Sequence, residues 1–198
     1  MAESNSPYLF GGPHPWSSED WTSSDDRVRG GSSYSELIPS ADPKRHTATF
    51  KGNLDTSTLG GAGFASQRTT SDKAWDLSGY KGLELEIVKS DGKLYTVTLK
   101  DEILPRRDDG RERSSLSWEG EIRVPKGEGK NVVIKFGDLK PTYRGKEVER
   151  DGKELDLKKV RRIGIMMRSF FDEQKGDFEV EVGYIKGWSE GRGAWCNV

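Results

Sequence analysis

Short runs in which every second residue is apolar recur along the chain, and glycine, proline, aspartate and serine separate them. The clearest is KGLELEIVKSDGKLYTVTLKD, residues 81–101. Leu83, Leu85 and Ile87 alternate with Glu84 and Glu86, and Tyr95, Val97 and Leu99 alternate with Thr96 and Thr98. A period of two puts each apolar set on one face of a strand. A three-residue loop, Ser90–Asp91–Gly92, pairs Ile87 with Tyr95, Leu85 with Val97 and Leu83 with Leu99. A two-residue loop at Asp91–Gly92 would set Leu85 against Thr98 and oppose core to polar positions. The pattern predicts a hairpin with Gly92 in the left-handed conformation.

The same period recurs at Ala48 and Phe50; at Leu116, Trp118, Ile122 and Val124; and at Val132, Ile134 and Phe136. It returns at Ile163, Ile165 and Met167, and at Phe178, Val180, Val182 and Tyr184. NLDTSTLGGAGFASQRT reads as a long glycine-containing loop ending in a short strand, and Leu155–Val160 suits a single helical or 3₁₀ turn. No segment carries the broad apolar stripe of a packed helix. About eight short strands with turn signals between them predict an all-β, antiparallel two-sheet sandwich. A chain of 198 residues suits one such domain, over 16–188. Residues 1–15 read as an arm held by Tyr8 and Phe10, with Trp16 at its junction, and 189–198 as a C-terminal tail.

The charges are balanced, with 32 basic and 33 acidic residues, and interspersed. This speaks against nucleic acid or an anionic membrane as partner. Lys158–Lys159 and Arg161–Arg162 read as charges guarding a strand edge. LPRRDDGRERSS and RGKEVERDGKE read as exposed, mobile loops. Cys196 is the only cysteine, so no intrachain disulfide and no Cys-based metal site can form. None of the four asparagines begins a glycosylation sequon, and both absences favour an intracellular, reducing compartment. No apolar run is long enough to span a membrane. The N-terminus resembles neither a secretory signal nor a mitochondrial presequence.

Chemistry-bearing motifs are sparse. Gly61–Ala62–Gly63 suggests a dinucleotide loop, but no apolar strand precedes it and no helix follows. His14 and His46 have no identifiable serine and carboxylate partners. Asp25, Asp26 and Asp55 lie in loops, and Glu119 and Glu121 on a polar strand face. A glycosidase needs two carboxyls across a sugar, a distance that sequence does not supply. No EF-hand spacing occurs, though loop carboxylates leave calcium open. We expect no catalytic set, no cofactor and no metal site.

WTSSDDRVRGGSSYSEL, FKGNLDTSTLGGAGFASQRT, WDLSGYKGLELEIVKSDGKLYTVTLKDE and VRRIGIMMRSFFDEQKGDFEVEVGYI together resemble the complex I intermediate-associated protein 30 family over roughly residues 16–188. The resemblance implies a galactose-binding-like jelly roll. It also implies a chaperone-like role in assembling mitochondrial NADH:ubiquinone oxidoreductase, with complex I assembly intermediates as partners. It carries no established catalytic residues. The mitochondrion is the compartment it implies; without a presequence, the cytoplasm stands as the alternative.

Within DRVRGGSSYSEL the expected roles are structural. The stretch enters the first strand, Gly30–Gly31 permit positive φ or close packing, Asp25 or Asp26 pairs with Arg27 or Arg29, and the serines satisfy backbone groups. The candidate contact region for a protein partner is Asp26, Arg29, Ser32 and Arg68, where polar groups crowd beside glycines. The expected function is a non-enzymatic protein-binding sandwich. The alternative is a carbohydrate or small-polar-ligand module on the same fold, which aromatics exposed on a concave sheet would favour. Trp118 shares phase with core residues, whereas Trp16, Trp21, Trp75, Trp188 and Trp195 fall in loops or tails.

Overall fold

In a computed structural model, which describes residues 6–108 and 112–190, the alternating runs become strands. In chain order these are β1 (Tyr8–Gly11), β2 (Trp21–Ser23), β3 (Tyr34–Pro39), β4 (Ala48–Leu54), β5 (Phe64–Thr69) and β6 (Gly82–Ser90). There follow β7 (Leu94–Lys100), β8 (Ser117–Arg123), β9 (Lys130–Lys135), β10 (Lys140–Tyr143), β11 (Lys146–Glu147), β12 (Arg162–Arg168) and β13 (Gly176–Trp188). One sheet has the order β3-β4-β13-β6-β9, with β1 paired to β13. The other has the order β11-β10-β8-β7-β12-β5-β2. The pairs are antiparallel, and the apolar phase of each strand points into the space between the sheets. The jelly-roll sandwich is therefore the architecture. The only helical elements among the described residues are 3₁₀ turns, one of them at Leu157–Lys159.

The hairpin of residues 81–101 does not form. β6 pairs with β13 and β9, whereas β7 pairs with β12 and β8, so the two strands lie in different sheets. Leu85, Ile87 and Tyr95 instead line one shared interior space. Two alternating runs can join their apolar faces side by side or face to face, and the pattern is the same for both. The turn chemistry holds: Gly92 has φ 87°, its N–H donates to Ser90 Oγ at 3.0 Å, and Ser90 Oγ donates to the Val124 carbonyl at 2.9 Å.

β13 also departs from its expected phase. Val182 faces Ile87 and Ile185 faces Leu85, so one extra residue bulges between them. Ile185 enters the core and Tyr184 turns outward, where its hydroxyl donates to Glu84 at 2.6 Å. Burial and the neighbouring Glu84 carboxylate push the Tyr184 phenol well above its usual range.

The aromatics near the N-terminus are structural. Phe10 packs against Trp16, Trp21 and Trp75 with ring centroids 4.9–6.1 Å apart; Trp16, in the loop after β1, and Trp21, which opens β2 rather than lying in a loop, are both buried in the core. Trp188 belongs to β13. The strand that follows DRVRGGSS is the third, not the first. Arg162 guards no edge: β12 lies between β7 and β5 inside its sheet, and Arg162 is buried. No helix is long and apolar enough to cross a membrane among the described residues.

Candidate functional site

Asp26–Arg29 form a 3₁₀ turn that Gly30 ends at φ 83°. Beyond it the chain doubles back so closely that a Cβ on Gly31 would overlap the Asp26 carboxylate. Asp26 is fully buried. It accepts from Ser33 N–H (3.0 Å), Ser33 Oγ–H (2.6 Å) and Phe64 N–H (3.1 Å). Asp25 accepts from Ser35 Oγ–H (2.7 Å), Ser66 N–H (2.9 Å) and Arg27 (3.0 Å). Ser35 belongs to β3 and Ser66 to β5, strands of opposite sheets, so the acidic pair ties the sheets together.

The other contact candidates lie around this clamp. Ser32 is exposed and shares a hydrogen bond with Thr58 at 3.2 Å. Arg29 is exposed and its guanidinium sits 5.5 Å from the Phe64 ring centroid. Arg68 is partly buried on the outer face of β5 and bonds Glu112 at 3.0 Å. Arg29 and Arg68 line one groove, of about 600 Å³; Asp26 and Ser32 are not part of its lining.

That groove is strongly basic. Its floor carries Arg68 of β5 and Lys100 of β7, and Arg29 forms part of its wall. The segment between β7 and β8 adds Arg106, Arg107 and Arg113, and the β10–β11 turn adds Arg144. Against these seven cations the described lining residues include one carboxylate, Glu112. Arg106, Arg107 and Arg113 thus bring positive charge to a concave surface in a chain whose net charge is only -1. Concentrating one sign in a cleft focuses its field on an incoming anion.

Arg162 reaches the same carboxylate from β12, at 3.4 Å, and donates to the Ser71 carbonyl at 2.9 Å. Lys100 Nζ donates to Ser115 Oγ at 3.2 Å. Burial pushes both Arg68 and Lys100 down from their usual pKa; Glu112 opposes this shift, and Arg162 adds to it. Sequence reasoning found Arg29 and Arg68 but missed Lys100, Arg162 and Glu112. The available signal was a cation at the outward phase of three separate strands, which converges only once their order is known.

At the far end of β12, Arg168 bonds Glu119 at 2.6 Å, and Glu119 also accepts from Thr142 at 2.7 Å. The strand-face carboxylate is thus tied up in an ion pair. The turn that follows holds Phe170, Phe171 and Asp172 at φ 47°, 57° and 73°, with Phe171 85% exposed.

Comparisons with known proteins give the family and the fold. The family described as Complex I intermediate-associated protein 30 (CIA30) matches residues 8–182. An uncharacterized Schizosaccharomyces pombe protein, C9E9.15, is 45% identical over 181 residues, covering 90% of this chain and 82% of that protein. Among solved structures, the family 11 carbohydrate-binding module of the cellulase Lic26A-Cel5E of Clostridium thermocellum superposes with a TM-score of 0.59 at 14% identity. That match covers 96% of this chain and 99% of the module. A family 11 module in complex with a β-1,3-1,4-mixed-linked tetrasaccharide gives a TM-score of 0.52 at 16% identity, covering 86% of this chain and 89% of its own. At such identities the likeness is one of fold alone. The family match spans most of the chain and the yeast relative most of its length, and the chain belongs to the complex I intermediate-associated protein 30 family.

Proposed function

We propose that the protein is a non-enzymatic, chaperone-like binding module that holds an acidic stretch of a protein partner in the basic groove during assembly of respiratory complex I. The family supports the assembly context and, with it, a mitochondrial place of action. The excess of seven cations over one carboxylate among the described residues of the groove is the observation that carries the choice of ligand. Arginines at this density suit carboxylates, which they bind in paired, directional contacts. A sugar site on such a fold would present aromatic rings for stacking. Here Trp16, Trp21 and Trp118 are buried, Phe64, under Arg29, is half-buried, and the exposed rings Tyr34, Tyr143 and Phe171 belong to separate elements, β3, β10 and the turn after β12.

The test is co-purification from native cells with the wild type and an Arg29→Glu/Arg106→Glu/Arg107→Glu variant, all three being exposed positions. We expect complex I assembly intermediates with the wild type, lost by roughly tenfold or more in the variant and in raised salt. Electrophoresis through mixed-linkage glucan should leave mobility unchanged. Equal capture by both proteins, or retardation by the glucan, overturns the reading.

A further inference from the structure

Arg162 and Lys100 are directly opposed in the β12–β7 register, and Arg68 follows on β5, whose register with β12 pairs it with Gly164. Like charges placed directly opposite on a sheet face repel, and a fold gains nothing by burying them together. Here they are nevertheless enclosed. The Arg162 side chain is 9% exposed and that of Arg68 24%. Glu112 is the carboxylate both arginines share, and both bonds fall on its Oε1. Among the described residues the two arginines bond a single carboxylate, which also attracts Lys100, so the cluster is under-matched in charge, although Glu119 attracts Lys100 too. The donors are unmatched as well, since the Nε–H groups of Arg68 and Arg162 are buried with no hydrogen-bond partner among the described residues. A buried donor without an acceptor is costly, and one on a nine-tenths buried guanidinium more so.

A floor of fixed guanidinium and ammonium donors suits an oxygen anion and repels a metal ion. Glu112 is a weak tether by comparison. It comes from the segment between β7 and β8 rather than from a strand, and its side chain is 31% exposed. We propose that Arg68, Arg162 and Lys100 form an oxyanion-binding site that Glu112 fills in the free protein, and that a carboxylate or phosphoryl group of an incoming peptide displaces Glu112. The identity of the incoming group rests on the protein-partner reading above; the site itself does not. Glu112 acts as an internal competitor, and removing it relieves the tax that its occupancy places on binding.

The experiment compares the wild type, Glu112→Gln and Glu112→Gln/Arg162→Gln by thermal denaturation in rising inorganic phosphate, at constant ionic strength. Three labelled peptides of equal length follow, rich in glutamate, in phosphoserine or in serine. Expected is a phosphate-dependent rise in Tm that is larger for Glu112→Gln than for the wild type and absent in the double variant. Charged peptides should bind Glu112→Gln about tenfold tighter than the wild type, with the serine peptide not bound. The glutamate and phosphoserine arms tell which oxyanion is preferred. If Glu112→Gln does not fold, Glu112→Asp withdraws the carboxylate by one methylene and should move the same readings in the same direction by less. Equal responses of wild type and variant, or a response that survives Arg162→Gln, overturn the site. Anion binding that follows this pattern while partner capture is indifferent to the same variants leaves the site standing and overturns the partner reading.

Discussion

Asp25 and Asp26 are neighbours in the chain, and each carboxylate grips both sides of the sandwich: Asp25 through Ser35 and Ser66, Asp26 through Ser33 and Phe64. Asp26→Ala would leave the buried Ser33 amide and the half-buried Phe64 amide without this acceptor. The expected loss is about 3 kcal/mol, read by urea denaturation. A double-mutant cycle with Ser33→Ala should give a coupling of about 1 kcal/mol. Additive effects would show that the two groups act separately.

Gly92 holds the turn that carries the chain from one sheet to the other. Its φ is 87°, and a Cβ there would stand 3.3 Å from the Lys126 backbone nitrogen. Gly92→Val combines a left-handed β-branched residue with that contact and should cost about 2 kcal/mol. A midpoint unchanged from the wild type would mean that the turn is free to relax.

Asp55 gives a prediction in pH. The Ser57 hydroxyl, then Thr58 and its amide, donate to its carboxylate and lower its pKa from 3.8 to about 2. The folded-state value lies below the unfolded one, so the contribution to stability is present above about pH 4 and is lost as pH falls through about 2. Asp55→Asn should therefore be less stable than the wild type at pH 5, with the gap closing toward pH 2. A gap that stays constant across this window would remove the carboxylate as its source.

Phe171 combines left-handed backbone, at φ 57°, with near-complete exposure. Little packing is lost when its ring is removed. Phe171→Gly should raise stability by about 1 kcal/mol through relief of the backbone, whereas Phe171→Ala should leave it nearly unchanged. Destabilisation by both would reveal a packing role for the ring.

The alternation of apolar residues reported which side chains are buried, and Leu85, Val97 and Ile165 lie where their phase puts them. It could not report partners, because period two says which way a residue points and nothing of which strand lies beside it. That is why β6 and β7 were expected to pair and instead face each other. The Tyr184 phase failed for a related reason, since one bulged residue inverts every later position and Gly183 is the sole local hint. At the site, Arg29 and Arg68 stood out beside glycines. Arg162 sits in an apolar strand and Glu112 in a polar loop, and neither context marks a contact. For Asp25 and Asp26 the sequence pointed to Arg27 or Arg29 as partners, and Asp25 does bond Arg27, but only the fold sets Ser33, Ser35 and Ser66 around them.

The position of β13 bears on how the protein is made. This strand of 13 residues lies between β4 and β6 and also carries β1, so the six-stranded sheet has no centre until residues 176–188 leave the ribosome. β1, the first of the described strands, waits for the last, and the Trp16 indole N–H meets its acceptor, the Gly183 carbonyl, across 167 residues of chain. Until then Phe10, Trp16 and Trp21 have no finished sheet to cover them. Such uncovered aromatic surface is what cellular holding factors bind, and the six-stranded sheet closes only once β13 arrives.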